Sequence, residues 1–356
     1  ALGRPLTVTA PDNTVTTFAY NGFEATVTDA HLTVTRTISD ILGRTTFVDA
    51  PTGPDVSFTY DDLGNLKTAT QHNSHDLVLY QVQQTEWYEA VAEMCIPLKI
   101  NLAKMHEEIG GGFLEACIAA GEGLEPADQL VLLKNFLRAL AQRQGKCVTF
   151  MPRWTEHADS QSIHVHVSLK DKSGKSVFFD PSQKNNVSQT FRHFLGGLQR
   201  YVGDLTLLCQ PTVNSYRRFA PGTFAPPGLT WGYENRTTCF RLVGHDAGSL
   251  RVENRLPGAA TNPYLTAAAT IAAGVAGIIE QIEPDAETLG NGYSQTPPRD
   301  FARSMPEAID RLRGSAFAKD WLGPRFVEAF SSTRESQYNE FRKKVPDVEL
   351  ERFFDL

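Results

Sequence analysis

The chain has 356 residues, of which 41% are hydrophobic and 21% are charged. The length exceeds that of one average domain, and the composition is that of a folded protein rather than a disordered or fibrous one. The net charge of −7 leaves no basic excess to neutralise a phosphate backbone, so we expect no nucleic-acid partner. Any phosphate-binding site must therefore be local.

The five cysteines are odd in number and fit no zinc-finger spacing, so we expect them to be reduced and mostly buried. Reduced cysteines favour a cytoplasmic location. The chain opens without a charged and apolar leader, and its most apolar run, residues 264–279, is short and rich in alanine. We interpret this run as a core helix and expect no membrane partner.

Residues 1–75 are predicted to form a small all-β segment. Apolar and polar side chains alternate as in half-exposed strands, and a Phe-x-Tyr-Asn/Asp pattern at residues 18–21 recurs at 58–61. An Asp-x-Leu-Gly pattern recurs between 40–44 and 61–65, which gives a period of about twenty residues and indicates a stacked β array. These repeats resemble the YD repeats of bacterial RHS proteins. A β-hairpin domain with glycine turns is the alternative.

The composition changes at a junction near residues 71–80, and the remainder, residues 77–356, is predicted to be an α+β domain. Apolar residues at helical spacing, with capping signals, predict a helix between Pro126 and Gly145. Further helices are predicted at residues 86–94, 189–202, 262–282, 305–313 and 318–344. Strands are predicted around Thr149 and Val165.

Two histidines, His164 and His166, lie on the strand predicted around Val165. Because the side chains of a strand alternate between its faces, both histidines and Ser168 share one face. A metal or phosphate site and a plain polar strand face explain this pattern about equally well.

A second strand, predicted over residues 250–256, places Arg251, Glu253 and Arg255 on one face by the same alternation. In isolation, such a triplet is more often a charge ladder that faces solvent. Four more arginines lie upstream, at positions 217, 218, 236 and 241. Convergence of these guanidinium groups would form a cradle for a polyphosphate.

Two carboxylates, Glu107 and Glu115, bracket the glycines at positions 110–112. Two strands, or a strand and its return, would bring both carboxylates to one point. There they would suit a hard divalent ion such as Mg²⁺ or Mn²⁺. Taken alone, such a pair more often marks a solvated turn.

Seven segments stand in the order and wording of the glutamine synthetase family, which residues 77–356 therefore resemble. The segments are 105–109 with Glu115, 149–152, 164–169, 214–218 with Pro221 and Gly222, Asn235 with Arg236, 251–255, and 262–265. The resemblance implies an antiparallel sheet flanked by helices. It also implies an ATP-dependent ligase that joins glutamate to an amine through a γ-glutamyl phosphate.

The resemblance further implies the roles of the site residues. A first Mg²⁺ or Mn²⁺ ion would be held by Glu107 and Glu115, and a second by His164 and Glu253. The family's contacts to ATP match His166, Ser168, Arg236, Arg241 and Arg251. Its contacts to glutamate and the γ-carboxyl group match Arg218 and Arg255, which together with Arg236 are the predicted catalytic residues.

Three departures from the family pattern matter. Phe224 takes the position of the carboxylate that deprotonates ammonium, which favours an organic amine or a polyamine over ammonia as substrate. The glycine-rich segment before the histidine strand is replaced by residues 159–162. The strand whose glutamate pair completes both metal sites is not found, nor is the small β-grasp domain that precedes it.

Two classes of function remain open. In the first, the chain is a ligase that retains most of the family's residues for binding and transferring phosphate. In the second, it is a truncated or chimeric, catalytically inactive ligase domain that acts as a binding or structural module. A third explanation is that rearrangement or assembly joined two unrelated segments near residue 75. This would account for their different compositions. The resemblance implies that complete relatives are homo-oligomers that form large rings. The oligomeric state of this chain stays open.

Overall fold

The computed structural model describes most of the chain. The described residues are 6–9, 15–21, 24–29, 34–40, 42, 44–49, 55–60, 66–72, 84–108, 112–155, 159–220 and 224–354. They divide into two compact units, one of Ala1–Pro97 with Asn101–Ala119 and one of Leu98–Ile100 with Ala120–Leu356. The predicted junction near residues 71–80 lies mostly outside the described residues, and the domain boundary there stays a prediction.

The first unit opens with an antiparallel sheet in which each strand pairs with the next one along the chain. The strands are β1 Thr7–Thr9, β2 Val15–Asn21, β3 Glu24–Thr28, β4 Val34–Ser39, β5 Thr45–Asp49, β6 Asp55–Tyr60 and β7 Leu66–His72. The residues of β2 alternate between exposed and half-buried, as the period of two predicts. The small all-β segment is confirmed, and its resemblance to YD repeats stays a prediction.

A helix and a hairpin follow in the first unit. Helix α1, Thr85–Cys95, is confirmed as predicted, and it buries one apolar face that runs from Trp87 to Cys95. Strands β8, Leu102–Glu107, and β9, Leu114–Ile118, pair antiparallel and form the hairpin.

The second unit is built on a sheet that has four strands among the described residues. These are β10 Val165–Val167, β11 Trp231–Tyr233, β12 Phe240–Val243 and β13 Arg251–Asn254. Strand β13 lies between β10 and β12 and pairs antiparallel with both, while β11 pairs parallel with β12 at the edge. Both strands that carry the predicted site are confirmed, although β13 is shorter than predicted.

The strand predicted around Thr149 is wrong, since this described segment has no regular structure. Helix α2, Glu125–Arg143, contacts this segment at Phe150. The ammonium of Lys134 and the guanidinium of Arg138 lie 5.1 Å and 5.0 Å from the ring centroid of Phe150. The ring of Phe150 therefore contacts two cations of a helix instead of a neighbouring strand.

Helices surround the sheet of the second unit. They are α3 Gln189–Tyr201, α4 Thr206–Cys209, α5 Pro263–Glu280, α6 Met305–Gly314, α7 Ala316–Leu322, α8 Pro324–Arg342 and α9 Asp347–Phe353. Short 3-10 helices lie at Lys184–Asn186, Val213–Phe219 and Gly292–Ser294. The predicted helices that correspond to α2, α3, α5 and α6 are confirmed.

The single helix predicted over residues 318–344 is wrong, because α7 and α8 are separate. Gly323 adopts a left-handed backbone with a φ of 87°, and Pro324 has no N–H to donate into the preceding turn. The glycine therefore ends α7, and the proline begins α8 at a position that tolerates it.

Helices α3 and α5 pack closely through glycines. A Cβ atom on Gly197 would lie 2.2 Å from the carbonyl oxygen of Ala273, and one on Gly277 would lie 2.2 Å from that of His193. Helix α5 has the length and composition of a membrane span, yet 44% of it is buried within the protein. Its packing against α3 is that of a core helix, as the sequence predicts.

Replacing Gly197 or Gly277 by alanine should lower the free energy of unfolding by about 1–3 kcal/mol, because the added methyl group overpacks the crossing. Gly314 at the end of α6 is the matched control, since a Cβ atom there meets no atom within 4 Å. Gly314→Ala should leave stability unchanged or raise it by up to about 1 kcal/mol. Chemical unfolding measures all three, and equal effects would contradict the close crossing.

Candidate active site

One buried carboxylate, that of Glu253, lies at the centre of the sheet in the second unit. The residue is only 3% exposed, and β13 places it directly opposite His166 on β10 and Arg241 on β12. Residues directly opposite one another in paired strands share one face of the sheet. The register of three strands therefore brings an imidazole and a guanidinium to the same carboxylate.

Both carboxylate oxygens of Glu253 accept hydrogen bonds. Arg255 Nη1 donates to Oε1 at 2.8 Å, and Arg241 Nη1 donates to Oε2 at 3.2 Å. His164 Nδ1 lies 3.0 Å from Oε1. Two guanidinium groups thus compensate a negative charge that would be strongly destabilising if it were buried alone.

The contacts of Glu253 also fix the protonation of its neighbours. Burial raises the pKa of Glu253, but the hydrogen bond with His164 and the charge of Arg255 outweigh burial and hold the pKa far below its usual range. Burial lowers the pKa of His164, and the charge of Arg255 adds to this effect although Glu253 opposes it. At neutral pH, Glu253 is therefore an anion and His164 a neutral imidazole.

His166 is linked to Arg251 on the same face. Arg251 Nε donates to His166 Nδ1 at 3.1 Å, a contact that requires an unprotonated Nδ1. Burial lowers the pKa of His166 to about 4, and the charge of Arg251 adds to the shift while Glu253 opposes it. The hydrogen bond and the pKa agree that the His166 ring is neutral at neutral pH.

Arg218 lies in the 3-10 helix Val213–Phe219 and is buried. Its Nη1 donates to the carbonyl oxygen of Leu256 at 2.6 Å, and its Nη2 donates to that of Arg255 at 3.0 Å. Burial lowers the pKa of Arg218 to about 10, so the guanidinium still carries its charge at neutral pH. Arg218 therefore supports the backbone that carries Arg255, and its predicted contact with glutamate stays a prediction.

The side chains of two predicted nucleotide ligands form no hydrogen bond or ion pair with this cluster among the described residues. Arg236 is exposed between β11 and β12, and Ser168 is exposed just after β10. Neither side chain hydrogen-bonds to any residue in the described part of the chain. Their predicted contacts with ATP stay predictions.

Sequence patterns did not point to Glu234, which belongs to the same cluster. Its Oε2 accepts a hydrogen bond from Arg241 Nη2 at 2.5 Å, and its Oε1 accepts one from the backbone N–H of Gly244 at 3.1 Å. A φ of 49° places Glu234 in the left-handed region. The alternation of side chains along strand β11 therefore does not predict which way Glu234 points. The sequence feature that could have pointed to Glu234 is its position directly before Asn235 and Arg236, which belong to the family pattern.

The two glutamates of the hairpin point to opposite faces. The register of β8 and β9 places His106 opposite Glu115, and Glu107 opposite Leu114. Glu107 is 4% exposed, its Oε1 accepts the N–H of Gly112 at 3.2 Å, and burial raises its pKa to about 7. In this register the two side chains alternate in direction, and the prediction that Glu107 and Glu115 hold one ion stays a prediction.

The cluster on the sheet is electrically suited to an anion. Both imidazoles are neutral, and the two carboxylates of Glu234 and Glu253 are outnumbered by guanidinium groups. These groups belong to Arg218, Arg241, Arg251 and Arg255. A local excess of guanidinium charge is an arrangement that binds phosphate oxygens.

The donor types in this cluster fit a divalent ion. His164 and Glu253 offer an imidazole nitrogen and carboxylate oxygens, which are donor types that a divalent ion such as Mn²⁺ accepts. Both oxygens already bind arginines, Arg241 and Arg255. Each carboxylate oxygen can accept more than one contact, so the donor chemistry fits the predicted ion.

A cavity of about 310 Å³ lies elsewhere in the second unit. Its lining includes Trp231, Tyr233 and Leu242 but none of the predicted site residues. Leu242 follows Arg241 on β12, so the two side chains point to opposite faces of the sheet. The cavity and the Glu253 cluster are thus on opposite faces.

Comparison with known proteins gives a consistent result. The family model described as glutamine synthetase, catalytic domain, matches residues 49–353. A type-1 glutamine synthetase of Dictyostelium discoideum is 33% identical over 279 residues, which cover 77% of this chain and 53% of the relative. A glutamate–isopropylamine ligase of a Pseudomonas species is 33% identical over 259 residues, with coverages of 72% and 56%.

A gamma-glutamylethanolamide synthetase of Streptomyces coelicolor is 36% identical over 251 residues, which cover 70% of this chain and 52% of the relative. The chain thus spans about half the length of these three relatives. Among solved structures, a complex of GmaS with ADP superposes with a TM-score of 0.72 at 27% identity, covering 84% of this chain and 71% of that one. The predicted α+β fold is confirmed.

Glu253→Gln should lower the free energy of unfolding by about 3 kcal/mol, because it removes the counter-charge of two largely buried guanidinium groups. Glu335→Gln is the matched control, since Glu335 pairs with Arg313 at 2.8 Å but is 49% exposed. Its loss should cost less than about 1 kcal/mol. Urea unfolding of the full chain compares the variants, and a Glu253→Gln effect no larger than the control would contradict a stabilising role for these pairs.

Proposed function

Since the chain belongs to the glutamine synthetase catalytic-domain family, we propose that it acts in the ATP-dependent joining of glutamate to an amine. The observation that carries this proposal is the cluster around Glu253, in which guanidinium groups outnumber carboxylates. The names of two relatives, an isopropylamine ligase and an ethanolamide synthetase, support amine ligation. Because the chain spans about half of these relatives, activity of the whole protein is part of the proposal.

The phosphates of ATP are proposed to bind on the face of Arg241 and Arg251. Both guanidinium groups lie on neighbouring strands of one sheet, and His166 shares their face from β10, on the other side of β13 from Arg241. A guanidinium fork matches the spacing of phosphate oxygens. The solved complex of GmaS with ADP supports a nucleotide as the ligand of this fold.

Arg255 and Arg218 are proposed to stabilise the carboxylate that is activated. In the reaction of this family, the γ-carboxylate of glutamate attacks the γ-phosphoryl group of ATP and ADP leaves, and an amine then displaces phosphate from the acyl phosphate. Guanidinium groups lower the barrier by spreading the charge that moves during phosphoryl transfer. A bound Mg²⁺ or Mn²⁺ would add charge neutralisation, with His164 and Glu253 as its ligands.

An organic amine or a polyamine is proposed as the nitrogen substrate, rather than ammonia. Phe224 takes the place of the family's ammonium-deprotonating carboxylate, and its side chain is 57% exposed. Its φ of 54° holds a bulky residue in the left-handed region, where such residues are rare. A phenyl ring cannot accept a proton, but it can pack against the alkyl part of an amine.

A second candidate function is a nucleotide-binding module without turnover. Both oxygens of Glu253 are held by arginines, and Glu107 and Glu115 face opposite ways on their hairpin. Without metal ions, the guanidinium cluster would bind a nucleotide but would lack part of the charge neutralisation that phosphoryl transfer requires. The two candidates agree on nucleotide binding and differ on phosphate release.

Arg251→Ala should weaken binding of ADP by about tenfold or more, because it removes a charged contact to phosphate. Arg325→Ala is the matched control, since Arg325 is exposed at the start of α8. Calorimetric titration of the full chain with ADP and Mg²⁺ measures both. Equal affinities of the two variants would remove Arg251 from the proposed phosphate site.

Release of phosphate from ATP, with glutamate, Mg²⁺ and a panel of amines, should be faster with an alkylamine than with ammonium. Phe224→Glu should shift the ratio of the two rates towards ammonium by about tenfold, since it restores a proton acceptor. Phe224→Leu is the matched control and should keep the preference for the alkylamine. A folded sample that binds ADP but releases no phosphate with any amine would favour the binding module.

A further inference from the structure

One side chain, that of Arg303, contacts the chain on both sides of Phe224. Its Nη2 donates to the carbonyl oxygen of Pro227, which lies three residues after Phe224. Its Cζ lies 5.6 Å from the ring centroid of Phe219, which lies five residues before Phe224. The contacts of a single guanidinium group therefore bracket the residue that is proposed to pack against the amine.

Arg303 is itself held by its surroundings. Its Cζ lies 4.1 Å from the ring centroid of the fully buried Phe301, and its Nη2 also donates to Asp300 Oδ1 at 2.8 Å. The rings of Phe301 and Phe219 pack against each other with their centroids 4.7 Å apart. Stacking on an aromatic face restricts the plane of a guanidinium group. A buried ring thus fixes the direction in which Arg303 donates to Pro227.

Phe224 has a backbone conformation that requires such support. Its φ of 54° lies in the left-handed region, and its side chain is 57% exposed. A bulky residue adopts this conformation at a cost in free energy, and the conformation persists only where surrounding contacts enforce it. An exposed ring gains little from packing, so the neighbouring residues must hold the backbone of Phe224 in place.

We infer that Arg303 is a positioning residue for the amine substrate, because it holds Phe224 through Phe219 and Pro227. The inference rests on the proposed function, which assigns the amine to Phe224. Phe219 directly follows Arg218, whose Cζ lies 5.7 Å from the Phe219 ring centroid. One ring therefore lies within cation–π distance of both arginines. Arg303 thus fixes Phe224 relative to the residue that is proposed to stabilise the activated carboxylate.

The competing explanation is that Arg303 only stabilises the fold. Its backbone N–H donates to Glu307 Oε2 at 2.8 Å in the first turn of α6, and its side chain packs on the core. On this explanation, its loss lowers the rate with every amine alike. A positioning role instead changes the KM for an alkylamine, while the affinity for ADP stays the same because Arg241 and Arg251 are untouched.

The test compares Arg303→Ala with Arg311→Ala in the full chain. Arg311 is the matched control, since its side chain is 33% exposed against 38% for Arg303, and it donates to Asp300 and Glu307 of the same segment. Arg303→Ala should raise the KM for an alkylamine by about tenfold, since a misplacement of about 1 Å can cost a hundredfold in rate. Arg311→Ala should leave this KM unchanged.

Arg303→Lys separates the two contacts of the guanidinium group. A lysine ammonium can still donate to Pro227 but does not stack as a plane on Phe301. Its KM for the alkylamine should therefore lie between those of the unmodified chain and Arg303→Ala. Calorimetric titration with ADP and Mg²⁺ should give the same affinity for all of these variants.

Hydrogen exchange followed by mass spectrometry tests the same contacts without turnover. Arg303→Ala should speed exchange in the peptide that contains Phe224 and leave the peptides of β12 and β13 unchanged, because loss of a contact lowers local stability. Arg311→Ala should leave the Phe224 peptide unchanged. If the chain releases no phosphate with any amine, the proposed function fails, and the exchange rates still decide whether Arg303 holds Phe224.

Two outcomes would overturn the inference. Equal exchange at the Phe224 peptide in the unmodified chain and in Arg303→Ala would show that Arg303 does not hold this residue. An equal loss of rate with alkylamine and ammonium, together with weaker binding of ADP, would assign Arg303 to the stability of the fold. Circular dichroism checks that each variant is folded, and Arg303→Lys carries both measurements should Arg303→Ala fail to fold.

Discussion

The site depends on one constraint, which is that a carboxylate buried in the middle of a sheet must be neutralised by its neighbours. Glu253 meets this constraint through Arg255 on its own segment and Arg241 on the adjoining strand. The same contacts hold both guanidinium groups in place on one face. Arg251 and the buried Arg218 add charge beyond what Glu253 and Glu234 offset, so a positive surface results that suits phosphate.

The alternation of side chains on single strands was sufficient to predict much of this face. His164 and His166 on one segment, and Arg251, Glu253 and Arg255 on another, were each assigned to one face, and their contacts with one another agree with that. Which strands pair could not be predicted in this way, because pairing depends on packing between distant parts of the chain. The contact between Arg241 and Glu253, across strands β12 and β13, is therefore a result of the structure.

The hairpin illustrates a different limit of the sequence. Glu107 and Glu115 are eight residues apart, and this spacing does not fix the register of the two strands that carry them. A shift of pairing by one residue moves a side chain to the other face. The register that forms turns Glu107 inwards and sets His106 beside Glu115. Gly323 and Pro324, by contrast, are a helix-breaking pair that the sequence itself contains within a long helical pattern.

The central claim is that the guanidinium face of the sheet binds the phosphates of a nucleotide. A crystal structure of the full chain with ADP and Mn²⁺ tests it most directly. The account predicts phosphate oxygens within hydrogen-bonding distance of Arg241 and Arg251, on the face that carries Glu253. A nucleotide bound in the cavity beside Trp231, on the opposite face of the sheet, would contradict it.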